Sequence, residues 1–279
     1  MRKASRRDLK QIIGIYSQYL NELGKENPYW LEAILRSKSK RVIVLACEYN
    51  KKVVGFIIAY KKGNEAYIES LAVSNGYKGL GIGSKLLAEA EKILASRGVK
   101  TVYLSVKSWN IPALNFYISK NYSVRGIVLL MCARPEEITV VRNNESYTAL
   151  DLNAGNIKTR ISKPLTWWSN LVDDVDRLIY RKFYREERAL IVRKGHSVKA
   201  LVMYTVNHDL VVDSMVFSSY SALEALTAVL HYLRNTALAW KSRSIEIPVD
   251  ASKKKFVTLL KKAGFRVCEV EYLLYNNLL

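Results

Sequence analysis

One succession of hydrophobic patterns runs through this chain twice. Three strand-like runs, Arg41–Tyr49, Val53–Tyr60 and Ala66–Val73, precede an amphipathic helix over residues 83–97. A strand Thr101–Val106, a helix Ile111–Lys120 and a strand Tyr122–Met131 follow. The order returns as Ala189–Arg193, Val198–Val206, Leu210–Val216, a helix Ala222–Ala239, a strand Ser244–Val249, a helix Ser252–Ala263 and a strand Phe265–Tyr275. Val73 matches Val216, Val106 matches Val249 and Tyr122 matches Phe265, an offset of roughly 143 residues where solenoid units run ~20–50. The order predicts one α/β fold of the α+β type in two tandem copies, each a mixed, mostly antiparallel sheet flanked by helices. Hairpin signals at Asn50-Lys51 and Gly63-Asn64 join the early strands, whereas helices separate the later ones. The expected division is 1–140 and 141–279, in the polar stretch around Glu136–Ser146, and residues 147–165 carry no clear pattern.

The local signals agree with this order. Ser5 with Asp8 resembles a helix start, with Ile12, Ile13, Tyr16 and Leu20 as the apolar stripe behind it. Leu86, Leu87, Ala90, Ile93 and Leu94 share one face of the 83–97 helix, and Gly98 is placed to stop it.

Composition narrows the function classes. The 279 residues are 49% apolar, and no run approaches the ~18–20 consecutive apolar residues of a membrane span. The start, MRKASRRDLK, is basic without an apolar stretch behind it, unlike a secretory signal. Cys47, Cys132 and Cys268 are widely spaced, and the three histidines form no metal motif, so a reduced, metal-free cytoplasmic protein is expected. The outlying quantity is charge: 44 Lys and Arg against 25 Asp and Glu give +19. That favours anionic partners, and nucleic acid stays open as one although no nucleic-acid motif accompanies the short basic clusters.

The most informative segment is Tyr67-Ile-Glu-Ser-Leu-Ala-Val73 followed by Lys78-Gly-Leu-Gly81-Ile-Gly83. A strand ends, alternating glycines turn the chain, and a helix begins. Glycines let the backbone approach an anion, and a helix start presents unpaired amides and the positive end of its dipole. Together they predict a phosphate cradle. Gly83-Ser84-Lys85 has the wrong order for a Walker loop. A dinucleotide fingerprint would need an acidic residue about twenty positions on, where Thr101 stands.

Lys78-Gly-Leu-Gly81-Ile-Gly83 resembles the Arg/Gln-x-x-Gly-x-Gly/Ala motif of the GNAT superfamily of N-acetyltransferases. Leu104-x-Val106-x-x-x-Asn110-x-x-Ala113-x-x-Phe116-Tyr117 is similar to that superfamily's second motif, with Asn121-Tyr122 where Gly-Phe is usual. The resemblance implies that Lys78, Gly79, Leu80, Gly81, Ile82, Gly83 and Ser84 hold the pyrophosphate of acetyl-coenzyme A. It implies further that the pantetheine arm runs along Leu71, Ala72 and Val73, and that Asn110 and Tyr117 contact the cofactor. Lys78 keeps a charge but lacks the planar donors of Arg, and Leu80 stands where a polar residue is common.

Tyr117 matches the tyrosine placed as proton donor to the leaving thiolate, the favoured role, and also fits a core position beside Leu114 and Ile118. Glu69 is the candidate base, or a solvated residue on an alternating strand, with Ser105 placed to polarise a water. Asn110 also fits a helix N-cap ahead of Ile111-Pro112. Tyr29 and Trp30 are expected to line a pocket for the amine acceptor. The second copy has Phe217-Ser-Ser-Tyr-Ser221 in place of the glycine loop and Leu260 in place of the tyrosine, so it is expected to be degenerate. The competing reading is a non-catalytic protein of this fold that binds nucleic acid or an acidic partner.

Overall fold

The structure is a computed structural model that describes residues 1–23, 30–37, 39–139, 146–153, 161, 163–168, 187–221 and 223–278. It divides into two compact units. The first contains Met1–Arg125 and the chain from Tyr272 onward; the second contains the described residues from Gly126 to Glu271. No helix among the described residues is long and apolar enough to cross a membrane.

The first unit opens with β1 (Arg2–Lys3), α1 (Leu9–Tyr16), α2 (Leu20–Leu23) and α3 (Trp30–Arg36). The entry to α1 is fixed by Asp8, whose carboxylate accepts the Ser5 amide at 2.7 Å and faces both arms of the Arg2 guanidinium at 2.7 and 2.8 Å. The Arg2 hydrogen bonds outweigh the cost of burial and hold this carboxyl down to about 2. The apolar stripe of α1 buries Ile12, Ile15 and Tyr16, but the helix gives way to a 3-10 turn at Ser17–Tyr19 before Leu20.

The sheet of this unit follows as β2 (Val42–Tyr49), β3 (Lys52–Lys62), β4 (Glu65–Val73) and β5 (Thr101–Lys107). Asn50 and Lys51 both take positive φ in the β2–β3 turn, as a tight hairpin with a right-handed strand twist requires. Strand β3 is buried from Val53 through Tyr60, so helices must cover both of its faces. The stripe Leu86, Leu87, Ala90 and Leu94 of α4 (Ile82–Ser96) forms one core with Ile43, Leu45, Ile57 and Ile68. The sheet runs β1-β2-β3-β4-β5 and ends on the last part of β13 (Arg266–Asn277). Leu274 is buried in that core, Thr101 Oγ1 donates to Asn277 Oδ1 at 3.1 Å, and the Leu278 amide donates to the Lys100 carbonyl at 2.8 Å. The helix α5 (Ile111–Ile118) leads into β6 (Ser123–Ala133), which passes into the second unit at Gly126.

The second unit repeats the plan. Its strands are β6 from Gly126, β7 (Tyr147–Asn153), β8 (Lys163–Pro164), β9 (Arg188–Lys194), β10 (Ser197–Val206), β11 (Leu210–Phe217), β12 (Ile245–Asp250) and β13 up to Glu271. The sheet order runs β6-β12-β11-β10-β9-β7, with β8 paired to β11. Helices α6 (Leu223–Ala239) and α7 (Lys254–Lys262) bury Leu226, Val229, Leu233, Phe256 and Leu260 in its core. The repeat is visible in the backbone: Gly98 and Lys241, and Asn121 and Gly264, are left-handed pairs at the offset inferred from sequence. At Gly264 a Cβ would lie 2.9 Å from the Glu137 carbonyl oxygen. The open site at Asn121 tolerates a side chain, which accounts for Asn-Tyr where Gly-Phe is usual.

Candidate functional site

In the first unit β4 and β5 run parallel but pair only through Glu65–Thr101, Ala66–Val102 and Tyr67–Tyr103. Beyond Tyr67 and Tyr103 the strands part, and β4 keeps its partner β3 on one side only. A bulge marks the departure. Ile58 pairs with Ser70 and Ala59 with Ile68, so Glu69 is the extra residue, and bulges re-aim side chains next to sites. The parted strands open a groove of about 630 Å³ lined along β4 by Ile68 to Val73 and along β5 by Leu104 to Lys107.

The groove ends at the glycine loop. Gly79 and Gly81 sit at φ +78° and +73°, a conformation that side chains resist, and a Cβ built on either meets nothing within 4 Å. Gly81 is the N-cap of α4, and intrahelical bonding starts with the Lys85 amide donating to its carbonyl at 3.0 Å. The amides of Ile82, Gly83 and Ser84 therefore head the helix with no intrahelical acceptor. The loop is braced from the first helices. The Tyr19 hydroxyl donates to the Val73 carbonyl at 2.6 Å, its ring lies 4.6 Å from Lys78 Nζ, and Gln18 accepts the Asn75 amide at 3.1 Å. Glycine backbone, open space, helix amides and Lys78 match a diphosphate in charge and shape.

Tyr117 lies on the groove wall, buried, with its ring edge-on to Phe116 at 5.1 Å and Tyr122 at 5.5 Å. Burial, reinforced by the charge of Glu91, pushes its phenol well above the ordinary tyrosine value, so it stays protonated across neutral pH. Glu91 also accepts the Tyr122 hydroxyl at 2.8 Å. Ser105 Oγ is buried in the groove lining without a hydrogen-bond partner among the described residues, and Glu69 lines the same groove. Asn110 is the N-cap of α5, accepting the Ala113 amide at 3.2 Å, and lines the groove as well.

The groove thus gathers Glu69, Leu71, Ala72, Val73, Lys78, Gly79, Gly81, Ile82, Gly83, Ser84, Asn110 and Tyr117. Leu80 is not in its lining and stands 64% exposed. Trp30 is not in it either: it is 3% exposed and packs edge-on against Tyr16 at 5.9 Å, as core. Tyr29 lies outside the described residues. Tyr19 lines the groove without having been marked by sequence, and Glu22, Leu23 and the motif residue Phe116 line it as well. Tyr19 sits in the 3-10 turn, off the stripe of α1, so no helical spacing connects it to the loop.

The second unit has the same parting of parallel strands: β11 and β12 pair only at Leu210–Ile245 and Val211–Glu246. Its own chain fills the gap. β8 pairs with Val216 and Phe217, the Leu165 amide donates to the Met215 carbonyl at 2.9 Å, and the Leu165 carbonyl accepts the Asp250 amide at 2.8 Å. Leu165 is completely buried, and the Tyr220 hydroxyl donates to the Pro164 carbonyl at 2.8 Å.

Comparison with known proteins places this geometry. Residues 9–120 match the acetyltransferase (GNAT) family. The first unit belongs to that family. Over the whole chain the fold is that of a tandem GNAT protein from the clavulanic acid biosynthesis pathway, with a TM-score of 0.73 at 12% identity, covering 99% of this chain and 97% of that one. Among curated proteins, thialysine N-epsilon-acetyltransferase of Bos taurus is 33% identical over 70 residues, 23% of this chain and 41% of that protein. Spermidine N(1)-acetyltransferase of Thermoplasma acidophilum is 29% identical over 141 residues, 44% of this chain and 88% of that protein. The chain spans about two fifths of the length of the thialysine enzymes it matches.

Proposed function

We propose that the first unit transfers an acetyl group from acetyl-coenzyme A to a primary amine by direct attack, with both bound together. The observation that carries this reading is the parting of β4 from β5 into a groove that ends on the glycine loop and the α4 amides. The relatives' printed names, which cover a thialysine and a spermidine acetyltransferase, support an amine acceptor.

Gly79, Gly81 and the amides of Ile82, Gly83 and Ser84 would hold the pyrophosphate with Lys78, and the β4 edge from Leu71 to Val73 would align the pantetheine arm. Bound there, the thioester supplies an activated acetyl carbon. The acceptor nitrogen bonds to that carbon and the carbon–sulfur bond breaks. Glu69, raised out of the ladder by its bulge, takes the proton shed by nitrogen, directly or through a water held at Ser105. Tyr117, kept protonated by burial, gives its phenolic proton to the departing sulfur.

An acceptor screen with labelled acetyl-coenzyme A across diamines, amino acids and peptides tests the reading, with Glu69→Gln expected to slow turnover by about 10²-fold or more. Calorimetry that finds no coenzyme A binding to the intact chain would overturn it and leave the non-catalytic reading.

A further inference from the structure

The face of the sheet that carries Ser105 holds a second polar cluster two residues back along β5. Residues i and i+2 of a strand share a face, so Tyr103 projects beside Ser105 at a spacing of ~7 Å. The Tyr103 hydroxyl donates to Glu65 Oε1 at 3.2 Å and accepts from Arg125 Nη1. The Arg125 guanidinium lies 5.3 Å from the Tyr103 ring and 5.6 Å from the Tyr275 ring. All four residues belong to the first unit.

Arg125 is exposed, and among the described residues its partners are these two tyrosines and no carboxylate. The contrast with other arginines is informative. Arg2, Arg188 and Arg243 each close on an aspartate at 2.7 to 3.0 Å and so are spent on structure. The two rings lie near the Arg125 guanidinium and leave it donors for a planar anion. Beside it stands Glu65, a carboxylate suited to an ammonium. A guanidinium and a carboxylate bridged by one phenol form a complementary pair for a zwitterion. Along β5 the step from Tyr103 to Ser105, ~7 Å, is comparable to the length of an extended lysine side chain.

We propose that the acceptor is a free amino acid with a side-chain amine. Its carboxylate is held by Arg125 and its α-ammonium by Glu65, while the distal amine reaches Glu69 and Ser105. This deepens the acetyl-transfer reading and rests on it. Arg125, Tyr103 and Glu65 are then positioning residues that choose the acceptor and leave the chemistry to the groove.

The test compares L-lysine with 1,5-diaminopentane, the same chain without the carboxylate. The intact protein is expected to use lysine with a kcat/KM at least 10-fold higher, since one charge-assisted pair supplies that much. Arg125→Gln should raise KM for lysine roughly 10- to 100-fold with kcat little changed and leave the diamine's constants as they were; Arg125→Lys should recover part of the loss. Equal use of the two amines by the intact protein, transfer only to peptides, or a loss in Arg125→Gln that strikes both amines alike would overturn the proposal. Calorimetry with lysine and the diamine, run without turnover, separates its failure from that of the activity. Lysine binding that Arg125→Gln abolishes supports the site even where no product forms, and absence of lysine binding refutes it.

Discussion

Gly81→Ala separates the cradle's structural role from its ligand role, because the structure assigns different magnitudes to each. Gly81 holds φ 73° and ψ 6° at the cap of α4, and a Cβ there meets no atom within 4 Å. The stability cost is therefore backbone strain alone, about 1–2 kcal/mol, a fall of only a few degrees in melting temperature for a chain of this size. The loss in coenzyme A binding is expected to be larger. A methyl group beside the loop amides displaces a phosphate oxygen from at least one charge-assisted hydrogen bond, worth about 1.5–3 kcal/mol, or roughly 10- to 100-fold in Kd. Gly81→Asp adds like-charge repulsion and should abolish binding. Gly14→Ala is the control: it lies inside α1, away from the groove, with ordinary φ and open space around its Cβ. It should stabilise the protein by about 0.5–1 kcal/mol and leave Kd alone. Calorimetry with coenzyme A beside thermal melts reads both quantities. A folded Gly81→Ala protein with unchanged Kd would refute the cradle, and a loss in Gly14→Ala matching that in Gly81→Ala would show that the effect is not local.

Tyr117→Phe should lower kcat by about 10²-fold while coenzyme A affinity moves less than about twofold. Because burial holds the phenol above its usual value, the pH–rate profile should show no alkaline decline from Tyr117 below about pH 10; such a decline near neutrality, lost in the Phe variant, would count against the assignment. Titration of the whole chain should find one equivalent of coenzyme A, since Leu165 bonds into both walls of the second unit's gap; two equivalents would show that this segment yields. Asp250 accepts the Trp167 amide at 3.3 Å, and burial raises its carboxyl to about 6. A raised carboxyl is least costly when protonated, so the penalty is absent below about 3.8 and grows as pH climbs through 6. Asp250→Asn should therefore stabilise the second unit at pH 8 by about 1 kcal/mol, discounted for its partial exposure, and by nothing near pH 3.5; equal effects at both pH values would contradict the burial.

Much of this architecture was legible because it is written in short-range periodicity. The hairpin at Asn50-Lys51, the α4 stripe and the glycine loop each need only neighbouring residues to declare themselves. The alternatives at two sites were decided by tertiary placement. Trp30 carries the residue type of a pocket wall, but ring packing on Tyr16 makes it core. Tyr117 had been open between core and acid, and the structure gives it both burial and a place on the groove wall. The pairing of Tyr275 and Arg125 with Tyr103 had no signal at all, since the repeat matches Phe265–Tyr275 to Tyr122–Met131 and marks both as closing strands. That the chain from Tyr272 onward completes the first unit depends on which sheet edge it meets, and no local spacing encodes that. Residues 163–165 gave no signal for a similar reason: β8 is a two-residue strand defined by its partner.

That short strand shows how differently the two units treat their parted strands among the described residues. Two parallel strands that part must satisfy the backbone groups they no longer offer each other, because buried amides and carbonyls left unpaired are costly. In the second unit the answer is internal: Leu165 gives its amide to Met215 and takes the amide of Asp250, so one residue rejoins β11 to β12. In the first unit the β4 edge beyond Tyr67 borders the groove, and the glycine loop stands at its end. An edge of backbone donors and acceptors leading to a cradle for phosphate suits an extended, amide-bearing ligand with a diphosphate at one end. The segment of Leu165 is the second unit's built-in substitute for such a ligand. Replacing Pro164 and Leu165 by glycines should loosen that substitute, and hydrogen exchange at the Met215 and Asp250 region would report it while leaving the amides around Gly81 unchanged.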